Sequence, residues 1–277
     1  MPLDPADHSL FLFVPADRPD RMVKAGASGA DAIIIDLEDA IAPAAKAMAR
    51  KSLGDGLAEG SLPLPVFVRI NAVGTPWHQE DLVAASALDI NGILLPKVES
   101  AAHLENMRGS LPPEMAVLAL VESAIGLSNC EAIAAASDRL VFGSLDFAVD
   151  IGARHDREAL LMARSRLVLC SRLANRPPPV DGVTTAIKDE AIVEDDACYG
   201  ASLGFGGKLL IHPAQVPPAR RGFAPSDDEL AWALEITAEA GDGAARAIKG
   251  LMVDAPVLAR ARQIVRAHQR LAHGTPT

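Results

Sequence analysis

Cysteine and aromatic residues are scarce: three of the 277 residues are cysteine and 4% are aromatic. Cys130, Cys170 and Cys198 stand far apart in the chain and fit neither a zinc-ligand spacing nor a disulfide framework. Thiols this sparse suit a reducing cytoplasm. Few aromatics means few platforms on which single-stranded nucleic acid could stack. Basic residues are also in deficit, 26 against 36 acidic ones, and the formal charge of −10 disfavours broad contact with phosphate backbones. One small anion held in a local basic cluster remains compatible with that charge. Long apolar segments are missing too, since no run approaches the roughly 20 residues needed to cross a bilayer. The first apolar run is too short for the core of a secretion signal, and Asp4 and Asp7 precede it where basic residues belong. Neither nucleic acid nor membrane is an expected partner.

The chain is instead rich in short apolar runs, and 49% of its residues are hydrophobic. Eight runs recur: Leu10–Val14, Ala32–Ile35, Val66–Val68, Gly92–Leu95, Ala116–Val121, Leu140–Phe142, Val180–Val183 and Lys208–Ile211. Behind them come Arg18, Asp36 with Glu38 and Asp39, Arg69, Lys97 with Glu99, Glu122, Asp146 and His212. A parallel strand covered on both faces reads as a continuous apolar run. Runs of that kind alternating with helical stretches mark βα units, and eight in succession predict a closed (β/α)8 TIM barrel of the α/β class. The active site of such a barrel lies where the strands end, so the charged residues behind the runs are the candidate site.

Punctuation between the runs agrees. Pro43 is placed to start an Ala- and Lys-rich helix, where a missing N–H costs little. Ser100 and Ser123 are candidate caps for the helices after Glu99 and Glu122. Residues 157–174 read as a helix with an apolar stripe of Leu160, Leu161, Leu167, Val168 and Leu173, broken by Asn175-Arg-Pro-Pro-Pro179. The barrel is expected over residues 1–222 and a helical extension over 223–277. In the extension, Ser226-Asp-Asp-Glu229 reads as a capping box. A break at Gly241–Gly243 and a final amphipathic helix using Val257, Leu258, Ala261, Ile264 and Val265 follow. The extension either packs on its own barrel or reaches a neighbouring subunit.

Glu122 and Asp146 end successive predicted strands and should be close neighbours. Magnesium accepts one or two carboxylates and keeps several positions for water and substrate, which suits such a pair; basic partners or helix caps are the alternative use. Asp36, Glu38 and Asp39 are available to bind metal-bound water, orient a base or accept hydrogen bonds from Lys97, with structural pairing the expected role of at least one; in an extended chain Asp36 and Glu38 share a face, with Leu37 opposite. Arg69 has a planar fork that matches a carboxylate, either of a ligand or of a neighbouring acid on the rim. Arg18, Arg21 and Lys24, at the start of the first helix, suit a phosphate or a solvated helix face. His212 before Pro213 suits a structural role at least as well as a catalytic one, and Cys130 and Cys170 fall in helical patterns as packing residues.

Over nearly its whole length the chain resembles the citrate lyase β subunit and malyl-CoA lyase-like CoA-ester lyases of the HpcH/HpaI aldolase/citrate lyase superfamily. The segments that carry the likeness are Leu12-Phe-Val-Pro-Ala-Asp-Arg18-Pro, Asp36-Leu-Glu-Asp39, Val68-Arg69-Ile-Asn71, Leu95-Pro-Lys97-Val-Glu99-Ser and Leu120-Val-Glu122-Ser. Phe142-Gly-Ser-Leu-Asp146-Phe, Ala163-Arg-Ser-Arg166, Gly204-Phe-Gly-Gly-Lys-Leu-Leu-Ile-His212-Pro-Ala-Gln-Val and Met252-Val-Asp254-Ala-Pro continue it. Their order and spacing together are specific.

The resemblance implies Mg²⁺ held by Glu122 and Asp146, and a substrate or developing enolate contacted by Arg69. It also implies a CoA tail held by the loop carrying Arg18, and substrate contacts from Lys97. Asp254 is implied to act as an acid on a neighbouring subunit, commonly in a homotrimer or a dimer of trimers. The implied reaction is reversible cleavage of a 3-hydroxyacyl-CoA thioester of the citramalyl-CoA or malyl-CoA type to acetyl-CoA and a 2-oxo acid. A malyl-CoA thioesterase, a citrate lyase subunit acting on a carrier-protein thioester, and a non-catalytic CoA-ester-binding barrel are the alternatives. The chain departs from the family wording at His8, where Arg is common, at Ala16, where Gly is frequent, and at Gly143-Ser-Leu before Asp146.

Overall fold

A computed structural model describes residues 8–58, 62–239, 246–248 and 251–273. Eight strands close a parallel barrel in chain order: β1 (Leu10–Pro15), β2 (Ala32–Asp36), β3 (Val66–Arg69), β4 (Gly92–Leu95), β5 (Ala116–Val121), β6 (Arg139–Phe142), β7 (Val180–Asp181) and β8 (Gly207–Leu210). Each apolar run forms a strand, with ends shifted by a residue or two; β7 is the shortest. Helices α1 (Pro19–Gly26), α2 (Lys46–Ala58), α3 (His78–Ser86), α4 (Ala101–Arg108), α5 (Ala124–Ser128) and α6 (Cys130–Ala136) follow the first five strands. Later come α7 (Ser144–Asp150), α8 (Arg157–Leu173), α9 (Glu190–Leu203) and α10 (Val216–Phe223). No helix among the described residues is long and apolar enough to cross a membrane.

Side-chain parity along the strands sets the rest. Phe11, Ala32, Ile34, Phe67, Leu94, Leu118, Leu120, Val141 and Leu209 pack together inside the barrel. Alternate residues, such as Leu10, Ile33, Ile35, Val68 and Leu210, pack outward against the helices. Two residues beyond Ile34, Phe67 and Leu120 come Asp36, Arg69 and Glu122, so the same alternation turns these charges inward at the C-terminal mouth. The opposite end is closed by Arg139, whose Nη1 donates to the His8 carbonyl at 2.6 Å and whose Nε donates to that of Pro178 at 2.7 Å.

Local signals fared unevenly. The Ser123 hydroxyl caps α5, accepting the Gly126 N–H at 3.1 Å, whereas Ser100 stands at the start of α4 without a capping bond from its side chain. On α8 the buried face carries Leu160, Ala163, Leu167 and Cys170, while Leu161 and Leu173 are exposed. At 100° per residue, Leu161 and Leu173 fall well away from the line through Leu160 and Leu167. Cys130 and Cys170, distant in sequence, lie buried against each other between α6 and α8; burial first, and then Cys170, pushes the Cys130 thiol up.

Beyond the barrel, α11 (Asp227–Glu239) opens with the expected capping box: Ser226 Oγ accepts the Glu229 N–H at 3.2 Å and Glu229 accepts the Ser226 N–H at 3.1 Å. The short antiparallel strands β9 (Arg246–Ile248) and β10 (Leu251–Val253) lead to α12 (Ala255–His273). Ala233, Ile236, Val253, Leu258 and Ala261 form a core of their own, separate from the barrel's. Asp4, Asp7 and the Gly241–Gly243 break lie outside the described residues.

Gly92 shows how little room the barrel interior has. A Cβ there would lie 2.7 Å from the Phe67 ring and closer still to the Ala116 carbonyl. Gly92→Ala is expected to lower unfolding stability by about 1–3 kcal/mol in urea titrations, the usual cost of overpacking.

Candidate active site

The mouth of the barrel holds a cavity of about 770 Å³, lined by Asp36, Arg69, Glu122 and Asp146 together with residues of α1 and of the end of β8. Asp36 and Arg69 face each other in the β2–β3 register. Their side chains form a two-pronged ion pair, Nε to Oδ1 at 2.7 Å and Nη2 to Oδ2 at 2.6 Å. Both are buried. Nη1 of Arg69 also lies 3.3 Å from Glu38 and 3.6 Å from Asp39, and the guanidinium stacks 4.8 Å from the Phe13 ring. Burial opposes the Arg69 charge, but the Asp36 hydrogen bonds and the three surrounding acids outweigh it and raise its pKa.

Asp36 does a second job. Its oxygens accept the N–H groups of Glu38 at 2.8 Å and Ala40 at 3.1 Å, folding the loop after β2 around the carboxylate. Buried Lys46 holds that loop from behind, donating to the carbonyls of Leu37 at 2.9 Å and Glu38 at 2.8 Å. Burial lowers the Lys46 pKa. Of the partners open to Lys97 in the sequence, the structure selects Glu38, with Nζ 3.2 Å from Oε1. Neither Lys97 nor Glu38 is part of the cavity wall.

Glu122 is the most perturbed acid on the wall. Burial, then the fields of Glu38 and Asp146, push its carboxyl up to about 8. Its Oε1 accepts the backbone N–H of Lys97 at 2.8 Å. Lys97 is held in the left-handed region, at φ 51°, a conformation that costs about 1 kcal/mol or more for a residue with a Cβ. Glu38 is pushed up to about 7, chiefly by burial, with Asp39 adding and Arg69 and Lys97 opposing. Gly143 makes room for Glu122, since a Cβ there would lie 2.5 Å from the glutamate's own Cβ. Asp146 stands exposed in the first turn of α7.

This donor set fits magnesium. Like-charged Glu38 and Asp146 raise the Glu122 pKa, and a bound cation would relieve that repulsion. Among the described residues no three His, Cys, Asp or Glu side chains converge as a closed metal shell. Two carboxylates with open positions are what magnesium accepts, whereas structural zinc calls for four closed ligands.

The remaining sequence candidates are placed as follows. Arg18, Arg21 and Lys24 all reach the cavity wall, but the Arg18 guanidinium is engaged with Asp20 at 3.0 and 3.1 Å. His212 lines the cavity while its Nδ1 accepts the Ala214 N–H at 3.1 Å, capping the turn after β8. Asp254 is not part of this chain's own cavity wall; its Oδ1 accepts the Val257 N–H at 3.2 Å at the start of α12. The sequence reading missed Phe13, which its parity with Phe11 places inside, and the pairing of Ser144 with His155 at 2.9 Å.

Residues 9–213 match the family described as HpcH/HpaI aldolase/citrate lyase. The chain is 37% identical over 274 residues to a citrate lyase subunit beta-like protein of Mycobacterium tuberculosis, covering 92% of this chain and 94% of that one. It is 36% identical over 265 residues to a (3S)-malyl-CoA thioesterase of Cereibacter sphaeroides, with 94% and 92% covered. A crystal structure of the protein CitE from Mycobacterium tuberculosis in complex with magnesium, acetoacetate and coenzyme A superposes with a TM-score of 0.82 at 34% identity, covering 95% of this chain and 98% of that one.

Removing one partner of a buried ion pair strands the other. Asp36→Ala is therefore expected to lose about 3 kcal/mol of unfolding stability. A loss below about 1 kcal/mol would mean that Glu38 and Asp39 satisfy Arg69 without it.

Proposed function

The chain belongs to the HpcH/HpaI aldolase/citrate lyase family, and we propose that it is a magnesium-dependent carbon–carbon lyase acting on a 3-hydroxyacyl-CoA thioester. The observation that carries this reading is the buried, charge-strained Glu122 beside Asp146 in a barrel-mouth cavity with cationic residues at its edge. The mycobacterial relative's complex with magnesium, acetoacetate and coenzyme A supports the same assignment. Citramalyl-CoA is the favoured substrate over malyl-CoA, giving acetyl-CoA with pyruvate rather than glyoxylate. The two differ at a methyl contact worth about 1–3 kcal/mol, so both are expected to turn over.

In this mechanism Glu122 and Asp146 would hold the ion, which would supply Lewis-acid chemistry there and lower the pKa of the substrate's hydroxyl. Arg21 and Lys24, with Arg18 once Asp20 releases it, bind the CoA phosphates as paired cations at the cavity edge. Arg69, locked by Asp36 and backed by Phe13, presents a fixed positive charge to the thioester oxygen as the carbon–carbon bond breaks and an enolate develops. Its rigidity matters, because a preorganised charge needs no rearrangement during reaction.

Asp254 returns a proton to the enolate carbon, or removes it in the condensation direction. The family resemblance implies that Asp254 acts on a neighbouring copy, in a homotrimer or a pair of trimers within the cytoplasm, and its place outside its own chain's cavity wall is compatible with that role. A second reading, thioester hydrolysis, is favoured by the similarity to the malyl-CoA thioesterase.

A panel of malyl-CoA and citramalyl-CoA stereoisomers, assayed for oxo acid and free thiol with and without magnesium, tests the proposal. Oxo acid that vanishes on chelation supports the lyase; free thiol without oxo acid supports hydrolysis. Asp254→Ala should abolish turnover while leaving CoA-ester binding intact.

Metal binding should depend on pH in a defined direction. With its metal-free pKa near 8, Glu122 is largely protonated at pH 7 and must lose that proton to bind a cation. Magnesium affinity is therefore expected to rise up to about tenfold per pH unit below pH 8 and then level off, with proton release seen by calorimetry in two buffers. Asp146→Asn should weaken binding at least about tenfold at every pH without unfolding the barrel.

A further inference from the structure

Ser144 opens α7 immediately after Gly143 and forms part of the cavity wall alongside Glu122 and Asp146. Its side chain is buried, and its Oγ lies 2.9 Å from Nε2 of His155. On its other side the hydroxyl packs directly over Gly182, where any Cβ would collide with it. His155 sits in the loop between α7 and α8 and is open to solvent. One hydrogen bond thus joins a hydroxyl on the cavity wall to an imidazole in contact with water.

Cleavage of a 3-hydroxyacyl thioester requires the substrate's hydroxyl proton to leave, and the wall offers few acceptors for it. Asp36 is occupied by Arg69 and by the N–H groups of Glu38 and Ala40. Asp39 faces the Arg69 guanidinium, and Asp20 is paired with Arg18 at 3.0 and 3.1 Å. Glu122 and Asp146 are assigned to the cation. His212 accepts the Ala214 N–H at Nδ1, so its neutral ring carries hydrogen on Nε2 and cannot accept there without losing the cap. His155 has no such constraint at Nε2.

Resting on the lyase reading, we propose that Ser144 is a further catalytic residue that relays the substrate hydroxyl proton to His155. The substrate O–H bond breaks as a new O–H bond forms at Ser144 Oγ, and the proton Ser144 already carried passes to His155 Nε2. The ring enters the step with hydrogen on Nδ1 and leaves it as imidazolium; water takes the Nδ1 proton, and the ring regains its starting tautomer by exchange with solvent before the next turnover. The electron pair left on the substrate oxygen becomes the oxo acid's carbonyl as the carbon–carbon bond breaks. The relay runs backward in condensation.

The surroundings keep the imidazole ready to accept. Burial first, then Arg164 on α8 and Lys208 on β8, disfavour its charged form, while Asp196 on α9 and Asp181 on β7 favour it. The net effect lowers its pKa. These four charges are themselves paired, Arg164 with Asp181 at 3.0 Å and Lys208 with Asp196 at 2.9 Å, so the field at His155 is set by packed groups.

Two variants test the relay. His155→Gln keeps a hydrogen bond to Ser144 through its amide but cannot carry a proton; Ser144→Ala removes the hydroxyl. Both are expected to lower kcat by about 100-fold or more while KM and magnesium affinity stay within about twofold. With magnesium saturating at every pH, so that Glu122 adds no limb of its own, the acid limb of the wild-type kcat–pH profile should match the His155 titration followed by NMR of its imidazole, and should be absent in His155→Gln. Activity of His155→Gln within about threefold of wild type, with the limb retained, would reduce the histidine to a structural partner and overturn the relay. A fall in magnesium affinity parallel to kcat in Ser144→Ala would overturn it too, by showing that Ser144 acts through Asp146. Wild-type protein that yields no oxo acid from any hydroxyacyl-CoA would overturn the lyase reading, and the relay with it.

Discussion

Asp36 and Arg69 meet across adjacent strands, both buried, both with two hydrogen bonds committed to the other, and the barrel mouth is organised around them. A charge buried at that depth is tolerated only when paired and fully hydrogen-bonded. The pair therefore fixes more than two side chains. Asp36 gathers the backbone of the following loop, and that loop delivers Glu38 and Asp39 to the flank of Arg69. Lys46 and Asn71 brace the same loop by its carbonyls. Arg69 is consequently held as a rigid cation with its position set on three sides.

Electrostatic strain lies beside this pair. Glu38 and Glu122 both carry raised pKa values because burial penalises their charged forms. The backbone of Lys97 touches one acid and its ammonium the other. Only part of the acidic charge is neutralised by these contacts. The site is built with a surplus of carboxylate where a cation would lower its energy, and in the proposed reaction Arg69 would face the opposite charge that develops on the substrate.

Much of this was legible in the chain. Eight continuous apolar runs alternating with helical stretches predict the barrel, while the structure adds the alternation along each strand that turns Asp36, Arg69 and Glu122 inward. Choosing partners was harder, because Arg69 and Lys97 each had several acids within reach in sequence terms. Register decides that choice: Asp36 lies directly opposite Arg69, while Lys97 turns back on itself at positive φ toward Glu38. Helical stripes misled at Leu161 and Leu173, where apolar residues lie on the solvent face of α8. The Ser144–His155 contact spans a loop between helices and leaves no periodic trace.

The proposed reaction depends on a cation held between Glu122 and Asp146. Crystals of the protein grown with manganese in place of magnesium, with anomalous scattering measured at the manganese edge, test this most directly. A single strong peak within bonding distance of both carboxylates is expected. A peak elsewhere in the barrel mouth, or none there at saturating manganese above pH 8, would contradict it.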